Sequence, residues 1–219
     1  DIYLEVGKKR VIASAAEWPG WCRGGKDEES ALQALLDYGP RYQKIVGRSR
    51  LGFKAPKSVD AFTIKERLNG NATTDFGVPG LVMKAESRPL KPAELKRLQT
   101  ILKACWRAFD DAVDGAGGHP LKKGPRGGGR STSGIVEHVV RAEGEGYLKS
   151  LGGKPPKGAG QDAYRALALD TLEASMRGEV EKTGPRGGKR WPPRYFVRRA
   201  AWHILDHAWE IQDRLEPGE

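Results

Sequence analysis

The chain has 219 residues, 38% of them hydrophobic and 30% charged, which excludes a disordered polymer and a membrane-embedded chain and leaves a globular protein with a sizeable core. No apolar run reaches bilayer length, the first residues Asp1-Ile2-Tyr3-Leu4-Glu5 lack the basic and apolar regions of a signal peptide, and the two cysteines, Cys22 and Cys105, lie far apart, so a disulfide-held fold is excluded and a cytoplasmic setting with no membrane partner is expected. The net charge of +10 raises nucleic acid, anionic cofactors and acidic substrates as candidate partners.

In chain order, residues 2–6 and 10–15 are β-prone and joined by Gly7-Lys8-Lys9, which predicts a hairpin. Trp18-Pro19-Gly20-Trp21 is a turn. Lys26-Asp27-Glu28-Glu29 opens a helix, its acids suited to a positive N-terminal end, and Ala31, Leu32, Leu35 and Tyr38 form its apolar stripe. Gly39-Pro40 interrupts that helix before Tyr42, Ile45 and Val46. Residues 61–68 read as extended, closing at Asn69-Gly70-Asn71. Residues 1–85 thus read as a small α+β unit.

From Leu90 the pattern turns helical. Pro92 suits a first turn, and Leu95, Leu98, Leu102, Cys105, Phe109 and Val113 repeat at spacings of three and four, which makes Cys105 a core residue and not a nucleophile. The Gly/Pro/Lys/Arg stretch from Gly115 to Arg130 is a loop. A second helix is expected from Ser133 to Ser150 with Ile135, Val139, Ala142 and Gly146 inward, a third from Asp162 to Gly178, and a last from Arg194 to Leu215. Four amphipathic helices joined by polar loops predict an all-α four-helix bundle over residues 86–219.

Basic residues cluster in three stretches: Arg41 to Lys57, Lys122 to Arg130, and Lys182 to Arg199. Two of these carry a short repeat. Lys123-Gly124-Pro125-Arg126-Gly127-Gly128-Gly129-Arg130 is echoed by Thr183-Gly184-Pro185-Arg186-Gly187-Gly188-Lys189-Arg190. Neither fits a P-loop, and composition favours connectors over anion cradles.

The chain has four histidines, and their placement carries the chemistry. His203 and His207 stand one helical turn apart on one face, so both rings can address one ion. Ile204-Leu205-Asp206 between them lacks the general-base glutamate of a H-E-x-x-H metalloprotease. His138 lies beside the Ile135/Val139/Ala142 face, where packed helices can aim it at the same point. His119, before Pro120, belongs to a loop. Glu210 shares the histidine stripe and can orient a ligand. Trp202 and Trp209 project to the opposite side, toward the N-terminal unit. Imidazole ligands suit a divalent ion, zinc or nickel foremost, with iron and copper also open. Arg130, Arg198 and Arg199 are the cations placed to hold a carboxylate or phosphate of a bound cofactor.

The segments Arg198-Arg199-Ala200-Ala201-Trp202-His203-Ile204-Leu205-Asp206-His207-Ala208-Trp209-Glu210-Ile211 and Gly134-Ile135-Val136-Glu137-His138-Val139-Val140-Arg141-Ala142-Glu143 resemble the last and second helices of the DinB/YfiT-like superfamily. The resemblance covers residues 90–215 or so. It implies a four-helix bundle with a divalent metal on His138, His203 and His207, and a metal-dependent, thiol-dependent S-transferase or a related transferase or hydrolase acting on a small-molecule electrophile with a low-molecular-weight thiol. The segment from Trp18-Pro19-Gly20-Trp21-Cys22 through Gly25-Lys26-Asp27-Glu28-Glu29-Ser30-Ala31-Leu32 resembles the HicB-like antitoxin fold. That second resemblance, with the basic loops, implies the alternative of a nucleic-acid-binding or antitoxin-like module with a structural metal. A homodimer is compatible with either.

Overall fold

The computed structural model describes residues 1–124 and 129–215. The expected hairpin forms from β1 (Ile2–Val6) and β2 (Val11–Ala15), antiparallel with Val6 opposite Val11 and closed by the Gly7 N–H donating to the Arg10 carbonyl at 2.8 Å. β3 (Cys22–Gly25) adds antiparallel to β2, and β4 (Ile64–Asn69) adds parallel to β1, giving the order β3-β2-β1-β4. β3 has no place in the sequence reading, because Cys22-Arg23-Gly24-Gly25 lacks β-branched or alternating apolar residues.

α1 (Glu28–Asp37) starts one residue after Asp27, whose carboxylate accepts the Ser30 N–H at 2.8 Å while Ser30 Oγ accepts the Asp27 N–H. α2 (Gly39–Gly47) follows at the expected break, with Pro40 in its first turn. Between β4 and the long helices stand the short α3 (Ala72–Phe76) and a 3₁₀ turn, Lys84–Ser87. α4 (Pro92–Ala116), α5 (Thr132–Arg141), the one-turn α6 (Lys149–Leu151), α7 (Gln161–Met176) and α8 (Pro193–Arg214) complete the chain. A π-helical turn, Ala142–Leu148, links α5 to α6. Among the described residues no helix is long and apolar enough to cross a membrane.

The four-helix bundle expected over residues 86–219 is not what forms. Successive strand residues point to opposite faces, and here both faces of β1 and β2 are covered. α1 packs on β2 and β3, with Ala31 and Leu35 buried. On the other side Ile12 and Cys22 pack against Trp202 of α8. α8 is therefore a central helix, packed on α4 along one side and on the sheet along another, with Val197, Ala201, Ile204, Leu205 and Ile211 fully buried. An isolated bundle would turn one face of that helix to water. Instead the polar residues on the sheet side are paired: Arg198 grips Glu86 through Nε at 2.6 Å and Nη2 at 2.9 Å, and its Nη2 also donates to the Leu81 carbonyl at 2.6 Å. Glu5 of β1 accepts from the Gly80 and Leu81 N–H groups beside it. The architecture is a helix-rich α+β fold with a four-stranded mixed sheet.

Two details fix the register of α8. Gly20 has φ +93°, and a Cβ there would lie 3.0 Å from Leu205 Cδ1 and 3.2 Å from Ala201 Cβ, so only glycine lets the Trp18–Trp21 turn lie on the helix. Trp209 packs edge-on against Tyr38 at the end of α1, with Arg23 over both rings. Trp202 and Trp209 thus face the N-terminal elements, as the helical stripe requires. Of the glycine-rich repeat, Pro125-Arg126-Gly127-Gly128 lie outside the described residues. The second copy is a closed turn: Thr183 bridges Lys189, and the Gly184 N–H donates to the Gly188 carbonyl at 2.7 Å.

Candidate metal centre

α5 begins at Ser131, whose hydroxyl accepts the Gly134 N–H at 3.2 Å, and its buried Ile135 and Val139 set the rotation that leaves His138 at the core's edge. α8 begins at Pro193, and its buried apolar residues hold His203 and His207 on the side facing α5. The three rings converge. His138 Nε2 and His203 Nε2 are 3.1 Å apart, and ring centres are separated by 5.1 Å (His138–His203), 4.9 Å (His138–His207) and 4.7 Å (His203–His207). One nitrogen from each ring lies within 4.8 Å of the others, so the group could hold a metal ion.

The donor set fits a divalent cation. Two nitrogens each about 2.05 Å from a tetrahedral ion stand about 3.3 Å apart, close to the 3.1 Å found between His138 and His203. The widest pair must close by about 1.5 Å at most. His203 is 7% exposed, and burial, followed by the charges of His207 and His138, pushes its pKa down to about 2. Burial and then His207 also lower the pKa of His138. Both rings therefore keep their lone pairs at neutral pH. His207 Nδ1 donates to Glu210 Oε2 at 2.8 Å, which leaves its Nε2 lone pair free for the shared point. Glu210 is held in turn by Arg214 Nη1 at 2.6 Å, and Arg214 donates to the carbonyls of Lys122 and Arg130 at 2.8 and 2.9 Å. The loop before α5 is so tied to the end of α8. His203 Nδ1 is buried without a hydrogen-bond partner among the described residues.

Of the three expected anion-holding arginines, Arg198 is corrected. Its guanidinium is 3% exposed and committed to Glu86, on the sheet side of α8, so it holds the fold together and is closed to a cofactor. Arg130 and Arg199 do stand near the imidazoles, and the charge of each lowers the pKa of His203. Arg199 lies over the rings of Tyr147 and Trp202. His119 is exposed after α4 and takes no part.

Tyr147, whose ring stands edge-on to His203 at 5.4 Å, and the buried Glu143 escape the sequence reading. A continuous α-helix through residue 150 turns Ala142 and Gly146 inward. The π turn adds a residue to the helical repeat and rotates the following face, so Glu143, Gly144 and Leu148 are buried while Gly146 is exposed. Gly144 and Gly146 within five residues were the available sign of irregular backbone. Compared with known protein families, with curated proteins and with solved structures, the chain matches none.

Proposed function

We propose that the protein is a metal-dependent enzyme that joins a low-molecular-weight thiol to a small electrophile, with His138, His203 and His207 as the ligands of a zinc or nickel ion. The observation that carries this reading is the convergence of three imidazoles from two helices, with no fourth protein ligand beside them among the described residues. A site built to staple helices is closed by four protein ligands, whereas three leave a position for a guest. A divalent cation held there stabilises thiolate over thiol, or hydroxide over water, at neutral pH. The chain's own part is to present the His138 and His203 lone pairs unprotonated, to fix the His207 tautomer through Glu210, and to wall the site with Tyr147. The resemblance of the two histidine-bearing helices to those of the DinB/YfiT-like superfamily favours thiol over water as the guest.

Elemental analysis of purified protein, beside His203→Ala, tests the ligand set. A stoichiometric divalent metal in the wild type and its loss in the variant are expected. Full metal in the variant removes His203 from the site. The loaded protein is then assayed for conjugation of 2-mercaptoethanol to a model electrophile, 1-chloro-2,4-dinitrobenzene. Bound metal with no rate above the metal-free protein rejects the transferase.

A further inference from the structure

We infer that the thiol taken by this site carries a carboxylate, and that Arg199 holds it; the inference rests on the thiol reading above. Arg199, His203 and His207 are spaced four residues apart on α8, so the three side chains leave one edge of the helix a turn apart, about 6 Å per step. The Arg199 guanidinium carbon lies 4.6 Å from the centre of the Trp202 ring and 5.2 Å from that of Tyr147. Tyr147 is also the ring that stands edge-on to His203, so one aromatic side chain borders both the cation and the imidazole.

That arrangement positions a guanidinium without an acid. The other arginines of α8 are each paired: Arg194 with Glu94, Arg198 with Glu86 and Arg214 with Glu210. Among the described residues Arg199 has no carboxylate partner, and its Nη1 is buried with no acceptor. A desolvated donor of this kind draws an anion, and the planar fork of guanidinium matches the two oxygens of a carboxylate. The aromatic contacts hold the fork in place beforehand, which reduces the ordering cost of binding. The Tyr147 ring, 5.2 Å from the guanidinium carbon and 5.4 Å from the His203 ring centre, bounds the reach of the ligand. A sulfur that reaches the imidazoles carries its carboxylate only a few bonds away, as in a short mercapto acid. On binding, the thiol proton leaves to solvent and the carboxylate oxygens accept from Arg199; no carbon bond forms or breaks.

Cobalt(II)-loaded protein titrated with 3-mercaptopropionate and with 2-mercaptoethanol, followed by the sulfur-to-cobalt charge-transfer absorption, tests this. The mercapto acid is expected to bind about tenfold tighter or more. Arg199→Gln erases that preference, the mercapto acid losing far more affinity than 2-mercaptoethanol while cobalt stoichiometry is kept, and Arg199→Lys restores part of it. Equal affinity for the two thiols in the wild type, or an undiminished preference in the glutamine variant, overturns the role of Arg199 and leaves the thiol reading standing. No absorption change with either thiol overturns the thiol reading itself. Should the glutamine variant fail to fold, the lysine variant decides: a reduced preference supports the assignment and an unchanged one overturns it.

Discussion

His207 Nδ1 lies 2.8 Å from Glu210 Oε2, one turn further along the same helix, and this contact assigns the Nε2 of His207 to any shared ion. Glu210 has its carboxyl pKa lowered, first by the His207 hydrogen bond, so it is an ionised acceptor at neutral pH. Glu210→Gln keeps the size and removes the charge. The expected outcome is metal affinity about 10–100-fold weaker, with all three imidazoles intact, measured by competition with a chromogenic chelator. Wild-type affinity in Glu210→Gln would show that the carboxylate does not tune the ligand.

Arg198 and Arg199 are adjacent in sequence and opposite in role, and their variants should separate cleanly. Removing the Arg198 guanidinium strands the buried Glu86 and Glu5, which are 2% and 0% exposed. Breaking one side of such a pair costs about 3–5 kcal/mol. Arg198→Ala is expected to lower the urea-unfolding free energy by that order while the folded fraction keeps its metal. Loss of metal without loss of stability would reverse the roles.

Gly20 tests the seat of α8 on the sheet side. Its φ of +93° is one that L side chains rarely adopt, and a Cβ there would meet Leu205 Cδ1 at 3.0 Å and Ala201 Cβ at 3.2 Å, so the neighbours must give. Gly20→Ala should destabilise by about 1–3 kcal/mol, through backbone strain and the displaced Leu205. Thermal unfolding reads this, and a neutral result would mean that the Trp18–Trp21 turn can shift off the helix.

The histidine triad was legible because a helix of known period places residues 203 and 207 on one face whatever surrounds it. The inward rotation of His138 followed from Ile135 and Val139. The bundle did not follow, because amphipathic stripes say how much of a helix is apolar but not which neighbour covers it. α8 carries Trp202, Trp209 and Arg198 on the side that a bundle would give to water, and the sheet, the end of α1 and the 3₁₀ turn cover them. Arg198 and Arg199 look alike in sequence, since only the 100° between successive residues, set against the packed surroundings, sends one to Glu86 and the other to Tyr147. Glu143 was hidden by the π turn, which no periodicity announces.

Glu143 gives the protein a pH dependence of its own. It is 8% exposed, its Oε1 has no hydrogen-bond partner among the described residues, and it borders a small cavity lined by Trp106 of α4, Tyr147, and Tyr164 and Arg165 of α7. Burial raises its carboxyl pKa to about 7; Arg165 and then the Trp106 indole oppose this, and the carboxylate of Asp110 adds to it. Arg165 itself is committed to Asp110 through two hydrogen bonds of 2.7 Å. The folded chain therefore keeps this proton in a range where the unfolded chain, with a carboxyl pKa near 4.5, has lost it. Stability from this group is full below pH 4.5 and is lost as pH rises through about 7, at a limiting slope of about 1.4 kcal/mol per pH unit. Glu143→Gln has no proton to lose. In metal-free buffer the wild type should fall relative to the variant between pH 4.5 and 7, with a gap on the order of 3 kcal/mol by pH 8 in urea-unfolding free energy. Parallel stability curves for the two proteins would mean that Glu143 is ionised at neutral pH, held there by a closer cation than Arg165.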